Sequence, residues 1–222
     1  RRELRATVIG DLGAWGDRAV IDEATRLFRG YVANRSSLIA EQLSAVLNVV
    51  GVNADRATFD TLRSLAKTAR SSDEAQRFYV ALASTRDPDL ARDALDLALS
   101  PDIPPQLVRL RRTMLGTVAQ RNPAIAWKFF QAHVDRFYGS ETAEGRTVAL
   151  AALPRTFWDA GALDQVVAWT RAHVPREAAR YVDRAAARAR EEAAIKTELA
   201  SSTDAFLAQH PEPPATPSLP SQ

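Results

Sequence analysis

The sequence predicts an all-α fold in which antiparallel helix pairs stack into an α-superhelix. Three observations point there. Apolar residues recur at three- and four-residue steps along most of the 222-residue chain, the spacing that gathers them on one face of a helix. Ala, Leu and Arg are abundant and only nine glycines interrupt them, so intrinsic propensity favours helix. Alternating Val, Ile and Thr runs bounded by turn pairs, the mark of strands, are absent from the sequence.

The elements follow in order. Gly10, Gly13 and Gly16 read as a helix end followed by a tight turn; a dinucleotide loop requires different spacing and a preceding strand. Asp17 caps a helix that buries Val20, Ile21, Ala24, Leu27, Phe28 and Tyr31. Ser36 and Ser37 open the next, with Leu43, Val46, Leu47 and Val50 inward, and Asp55 starts one carrying Phe59, Leu62, Leu65 and Ala66. Ser71 and Ser72 lead into a helix using Phe78, Tyr79 and Leu82. Asp87-Pro88 and Asn122-Pro123 each place a capping oxygen before a proline at the first helical position, where the missing N–H costs nothing. They open the segments Leu90–Leu99 and Ile125–Phe137, the latter with Trp127, Phe130, Val134 and Phe137 inward. Pro101, Pro104 and Pro105 make a hard break before a helix over Leu107–Ala119. Beyond Gly139 a less regular stretch leads to Leu150, then a helix spans Gly161–Ala172, and Pro175 opens a long Ala/Arg/Glu-rich segment to about Leu207.

Helices recur about every 16 to 20 residues with short links, so neighbours pack as antiparallel hairpins. A pair repeating at about 35 to 40 residues has the period of HEAT and armadillo arrays, though no consensus passes from one repeat to the next. The repeat domain is expected over residues 1–208. Residues 209–222, rich in proline, are expected to form a disordered tail.

Composition narrows function. Twenty-nine basic residues nearly balance 27 acidic ones, a formal charge of +2, which argues against nucleic acid as a partner. No apolar run is long enough to cross a bilayer, so no membrane partner is expected. Cysteine is absent, which excludes disulfides and thiolate metal sites. Serine and threonine are plentiful, but none sits in a recognisable triad motif. By residues alone the chain is an α-helical array offering a binding or framing surface.

The stretch Leu4–Asp17 followed by Glu23-Ala24-Thr25-Arg26-Leu27-Phe28 resembles the start of the helical C-terminal domain of zinc aminopeptidases of the aminopeptidase N family, in the puromycin-sensitive and endoplasmic-reticulum branch. Ser71–Leu90, Asp96–Ile103, Ala126-Trp127-Lys128-Phe129-Phe130 and Val166–His173 resemble later segments of that domain in the same order. The chain starts inside a helical pattern with no leading Met, so it is expected to be a piece of a longer protein.

The resemblance implies a bowl of paired helices that caps the active-site cavity of a zinc-dependent peptide hydrolase and helps bind and size-select peptides. The partners it implies are the parent's own catalytic domain and peptide substrates. Zinc is expected in that absent domain, with no cofactor, metal ligand or catalytic residue in this segment, which is expected to be inactive alone. His133, His173 and His210 are too widely spaced for two imidazoles one helical turn apart, and none has the flanking Glu of a zinc peptidase. In the family the segment corresponding to Tyr138–Thr147 faces the cleft, which makes Ser140, Glu144 and Arg146 candidates to line it. Arg109, Arg111 and Arg112, the densest basic spot, are candidates to attract a peptide carboxylate, which guanidinium pairs bidentately. The rival reading is a stand-alone helical-repeat scaffold for a partner protein.

Overall fold

The structure, a computed structural model, describes residues 10–104, 107, 109–139, 141–158 and 162–209, without the side chain of Leu207. Ser140, His210 and the expected tail beyond Gln209 lie outside the described residues. The described residues form helices and turns with no strand, so the all-α expectation holds.

Residues 10–15 form helix α1. It is followed by α2 (Arg18–Ala33), α3 (Ala40–Val52), α4 (Arg56–Lys67), α5 (Ser72–Ala83) and α6 (Pro88–Leu99). After the proline break come α7 (Leu110–Ala119), α8 (Pro123–Tyr138), α9 (Ala143–Ala151), α10 (Leu153–Thr156), α11 (Leu163–His173) and α12 (Ala179–Gln209). The caps explain most starts. Asp17, Asp55 and Ser71 each accept a backbone N–H three residues on, and Asp87 accepts from Asp89 and Leu90 ahead of Pro88.

Three local expectations need correction. Ser36 and Ser37 do not open α3; they lie in the turn before it, and Ile39 occupies the cap position. The Asn122 side chain makes no capping hydrogen bond to α8; its Nδ2 donates instead to a carbonyl 37 residues back. The stretch after Gly139 is helical from Ala143, started by Thr142, whose hydroxyl accepts the Gly145 N–H at 3.0 Å.

The chain divides into two compact units, Arg1–Leu150 and Ala151–Gln222. In the first, α3, α5 and α7 pack side by side as one layer, and α2, α4, α6 and α8 pack against them as the other. Even-numbered helices thus return the chain between successive members of the inner row, as antiparallel hairpins must. Fully buried Tyr31, Leu62, Phe78, Tyr79, Leu82, Leu95, Met114, Leu115 and Phe130 fill the space between the layers. Close approach within the inner row rests on glycine. A Cβ at Gly51 would stand 2.4 Å from the Ala81 carbonyl, and one at Gly13 2.5 Å from Val49 Cγ1. Gly16, with φ +93°, makes the left-handed turn between α1 and α2.

Hydrogen bonds between consecutive pairs tie the loops together. The Asn53 amide donates to the Gly13 carbonyl at 3.1 Å across 40 residues, and the Asn122 amide donates to the Thr85 carbonyl at 3.0 Å across 37. Between these rungs the Arg86 backbone N–H donates to the Val52 carbonyl at 3.3 Å. The proline break is held likewise: Tyr79 Oη donates to the Asp102 carbonyl, Arg63 and Lys67 pair with the Asp102 carboxylate, and Arg136 donates to the Leu99 carbonyl.

One buried charge joins α2 to α5. The Glu74 side chain is 9% exposed and accepts from Tyr31 Oη at 2.5 Å, from the Arg70 backbone N–H at 2.6 Å and from the Arg70 guanidinium at 3.2 Å. Burial opposes its ionisation, yet these donors outweigh that effect and bring its pKa down to about 2.

The second unit is small. Ala151, Leu163, Val167, Val182, Ala186 and Ala189 form its core, with Trp158 and Val174 against it. Arg190–Asp164 (2.7 Å) and Arg171–Asp183 ion pairs bridge α11 and α12. No helix among the described residues is long and apolar enough to cross a membrane.

Two predictions follow from this packing. Gly51→Ala should lower stability by about 1–3 kcal/mol in urea melts followed by circular dichroism, because the methyl group meets backbone that cannot yield cheaply. Glu74→Ala should cost about 2 kcal/mol at neutral pH. Because the folded pKa of Glu74 lies below its ordinary 4.5, its contribution is complete above that value and is lost as pH falls toward about 2. Wild type and variant should therefore converge in stability across that window.

Candidate functional site

A cavity of about 670 Å³ opens on the inner row of the first unit, lined from α1, α3, α5 and α7. Positions one helical turn apart supply its polar surface: Ser44 and Asn48 on α3, Asp73 and Arg77 on α5, and Thr117 with Arg121 on and just past α7. Asp11, Gln76, Ser84 and Gln120 add further polar groups, and Leu47, Val52 and Val80 add apolar surface. α3, α5 and α7 bury their other faces against the outer layer, which leaves this face free to be polar.

The charges in the cavity are not spent on one another. Arg77, Arg121, Asp11 and Asp73 make no ion pair with any described residue, and neither does Arg86. Arg86 follows Thr85 and Arg121 immediately precedes Asn122, so the Asn122–Thr85 hydrogen bond brings the two backbone positions to the same end of the inner row. Burial, and then the like charge of Arg86, hold the Arg121 guanidinium below its ordinary value.

The residues singled out from sequence lie elsewhere. Arg112 pairs with Glu141 at 2.8 Å, both side chains about one-third exposed, and its guanidinium stands 5.2 Å from the Tyr138 ring centre. Arg146 pairs with Asp135 at 2.7 Å. Glu144 is exposed in the first turn of α9, Arg109 is exposed just before α7, and Arg111 is half-buried with its Nε lacking a hydrogen-bond partner. The structure thus joins Arg112 to Glu141 and Tyr138 but does not bring the three arginines into one patch, and none of these five described candidates lines the cavity. Sequence reasoning missed Arg77 and Arg121. Arg77 stands in the middle of α5 and Arg121 just past the end of α7, so no local pattern marks them as one face before the helices are stacked.

The described histidines are engaged by their own helices. His133 Nδ1 donates to the Phe129 carbonyl at 2.9 Å where α8 departs from helical geometry, and its ring stacks on Phe129. His173 Nδ1 donates to the Trp169 carbonyl at 2.7 Å and stacks on Trp169. Among the described residues no group of three or more His, Asp or Glu is placed to hold a metal ion.

The two candidate ion pairs should separate by burial. Arg112→Ala, which loses a half-buried pair and a cation–π contact, should cost about 1–2 kcal/mol in urea melts. Arg146→Ala, losing an exposed pair, should change stability by less than about 1 kcal/mol. Equal costs would contradict this assignment.

Comparison with known proteins adds three findings. Residues 1–193 match the family described as "ERAP1-like C-terminal domain". The chain is 31% identical over 147 residues to Aminopeptidase M1-A of Oryza sativa subsp. japonica, an alignment that covers 64% of this chain. The chain spans 16% of the length of that relative.

Proposed function

The chain belongs to the ERAP1-like C-terminal domain family, and on that premise we propose that it serves as the non-catalytic helical domain of a zinc-dependent aminopeptidase. In this reading the parent removes N-terminal residues from peptides with zinc-activated water held by a separate catalytic domain. The present domain caps the active-site cavity, binds the peptide away from its reacting end and limits the length that is accepted. Its partners are that catalytic domain and the peptide.

The observation that carries the reading is the family match over residues 1–193, together with the 31% identity to a protein named as an aminopeptidase. The polar cavity on the inner row supports it, because a peptide backbone needs hydrogen-bonding partners along its length and Ser44, Asn48, Gln76, Thr117 and Gln120 offer them. Ser140, Glu144, Arg146, Arg109, Arg111 and Arg112 stay in the proposal as cleft-lining groups of the parent.

The test compares a parent enzyme carrying this segment with one lacking it. Hydrolysis of a single-residue aminoacyl reporter should persist in the shortened enzyme, whereas discrimination among peptides of increasing length should fall at least tenfold in kcat/KM ratio, the factor that about 1.4 kcal/mol of differential binding supplies. The segment alone should release no amino acid from either substrate and retain no zinc after dialysis. Unchanged length discrimination in a folded, active, shortened enzyme would refute the size-selecting role.

A further inference from the structure

The C-terminal half of α12 carries a second apolar face. The first half of the helix supplies Val182, Ala186 and Ala189 to the core of the second unit, whereas every described side chain from Ala194 to Gln209 is exposed. Ile195, Leu199 and Phe206 are 51%, 60% and 59% exposed. With Ser202 they recur at steps of four, three and four, which aligns them along one seam of the helix. At about 100° per residue this seam stands roughly a third of a turn from the buried face, so it points away from the core of its own unit. Local preference does not explain the helix here. Ser201, Ser202, Thr203 and Asp204 are poor helix formers in succession, and helices in water draw most of their stability from a packed face. The seam also lies beyond residue 193, where the family match stops, so the family resemblance does not account for it.

We propose that this seam docks a second copy of the chain as an antiparallel helix pair, with the twofold axis between Ala200 and Ser201. The inference is independent of the aminopeptidase reading. The order of the side chains selects this occupant, because the seam complements itself when reversed, as a twofold interface requires. Ile195 then meets Phe206 of the second copy, and Leu199 meets its Ser202, so the central layers pair a large side chain with a small one. Charge selects the direction. On the flanks of the antiparallel pair Lys196 faces Thr203 and Glu198 faces Ala205, so no like charges meet. A parallel pair would extend the seam through Glu192 and Arg188, placing each against its own copy. The antiparallel overlap runs from Ile195 to Phe206 and leaves that Arg188–Glu192 ion pair outside it. The packed half of each α12 then lies beyond the end of the other helix, where it does not obstruct pairing. Four layers over about 17 Å cover less than the roughly 1,200 Å² of a standard complex, so pairing is reversible and governed by concentration.

The experiment is sedimentation equilibrium of the 222-residue chain between about 10 μM and about 1 mM, a range suited to weak association. The average mass should rise from monomer toward dimer across that range. Leu199→Glu, which sets a charge in a central layer, should weaken association at least about tenfold. Ser202→Leu, which gives Leu199 of the second copy an apolar neighbour, should tighten it at least about threefold. A surface residue with no part in pairing would not yield that gain. Both positions are exposed, and circular dichroism checks that the variants keep the fold. The chain contains no cysteine, so oxidation reads the direction of pairing. Ile195→Cys and Phe206→Cys chains should cross-link when mixed, and neither should cross-link when oxidised alone. Association unchanged by either substitution, or self-cross-linking of the Ile195→Cys chain, would overturn the proposal. So would a monomer at every concentration, which would leave the seam to a different partner.

Discussion

Loop-to-loop hydrogen bonding between successive helix pairs is the constraint on which the first unit depends. Inner-helix ends expose carbonyls that the helix itself cannot satisfy, and packing the next pair on top removes water from them. Asn122 meets that need for Thr85 and the Arg86 N–H meets it for Val52, while Asn53 adds a second donor to the Gly13 carbonyl, which already accepts from Gly16. Apolar packing alone would tolerate sliding of one pair over another. These directed bonds do not, and they define the register in which four helices, distant in sequence, contribute to one cavity.

That dependence explains what could be read in advance. Asp17, Asp55, Ser71 and Asp87 bind backbone two or three residues away, so the cap and its target share one short window of sequence. Asn122 looks the same locally, yet its amide is taken by a carbonyl 37 residues back. The α9 start was legible in Thr142 but obscured by Gly145, whose low propensity argues for a loop. The buried faces of α3, α4 and α5 were legible because three- and four-residue steps are sufficient to specify them; every apolar residue picked there is buried.

The candidate site was less legible, for a geometric reason. Arg109, Arg111 and Arg112 are dense in sequence, but successive helical residues point about 100° apart, so density along the chain is not density in space. Arg112 turns toward Tyr138 and Glu141 while Arg109 lies at the surface. Arg77 and Arg121 are each an ordinary residue in its own segment. Only the stacking register brings them to one surface, and register is a property of the whole array. Family resemblance, carried by fragments in order, named the domain without locating that surface.

Asp73 and Glu74 are neighbours on α5, one lining the cavity and the other clasped by Tyr31 and Arg70 in the core. A load applied to the first is therefore delivered to a residue whose withdrawal would strand a carboxylate away from its donors. The floor of the trough is anchored like a rivet rather than sprung like a hinge. A ligand seated beside Asp73 would meet a surface ordered in folding, so the entropy of ordering it would be charged to folding instead of to each encounter.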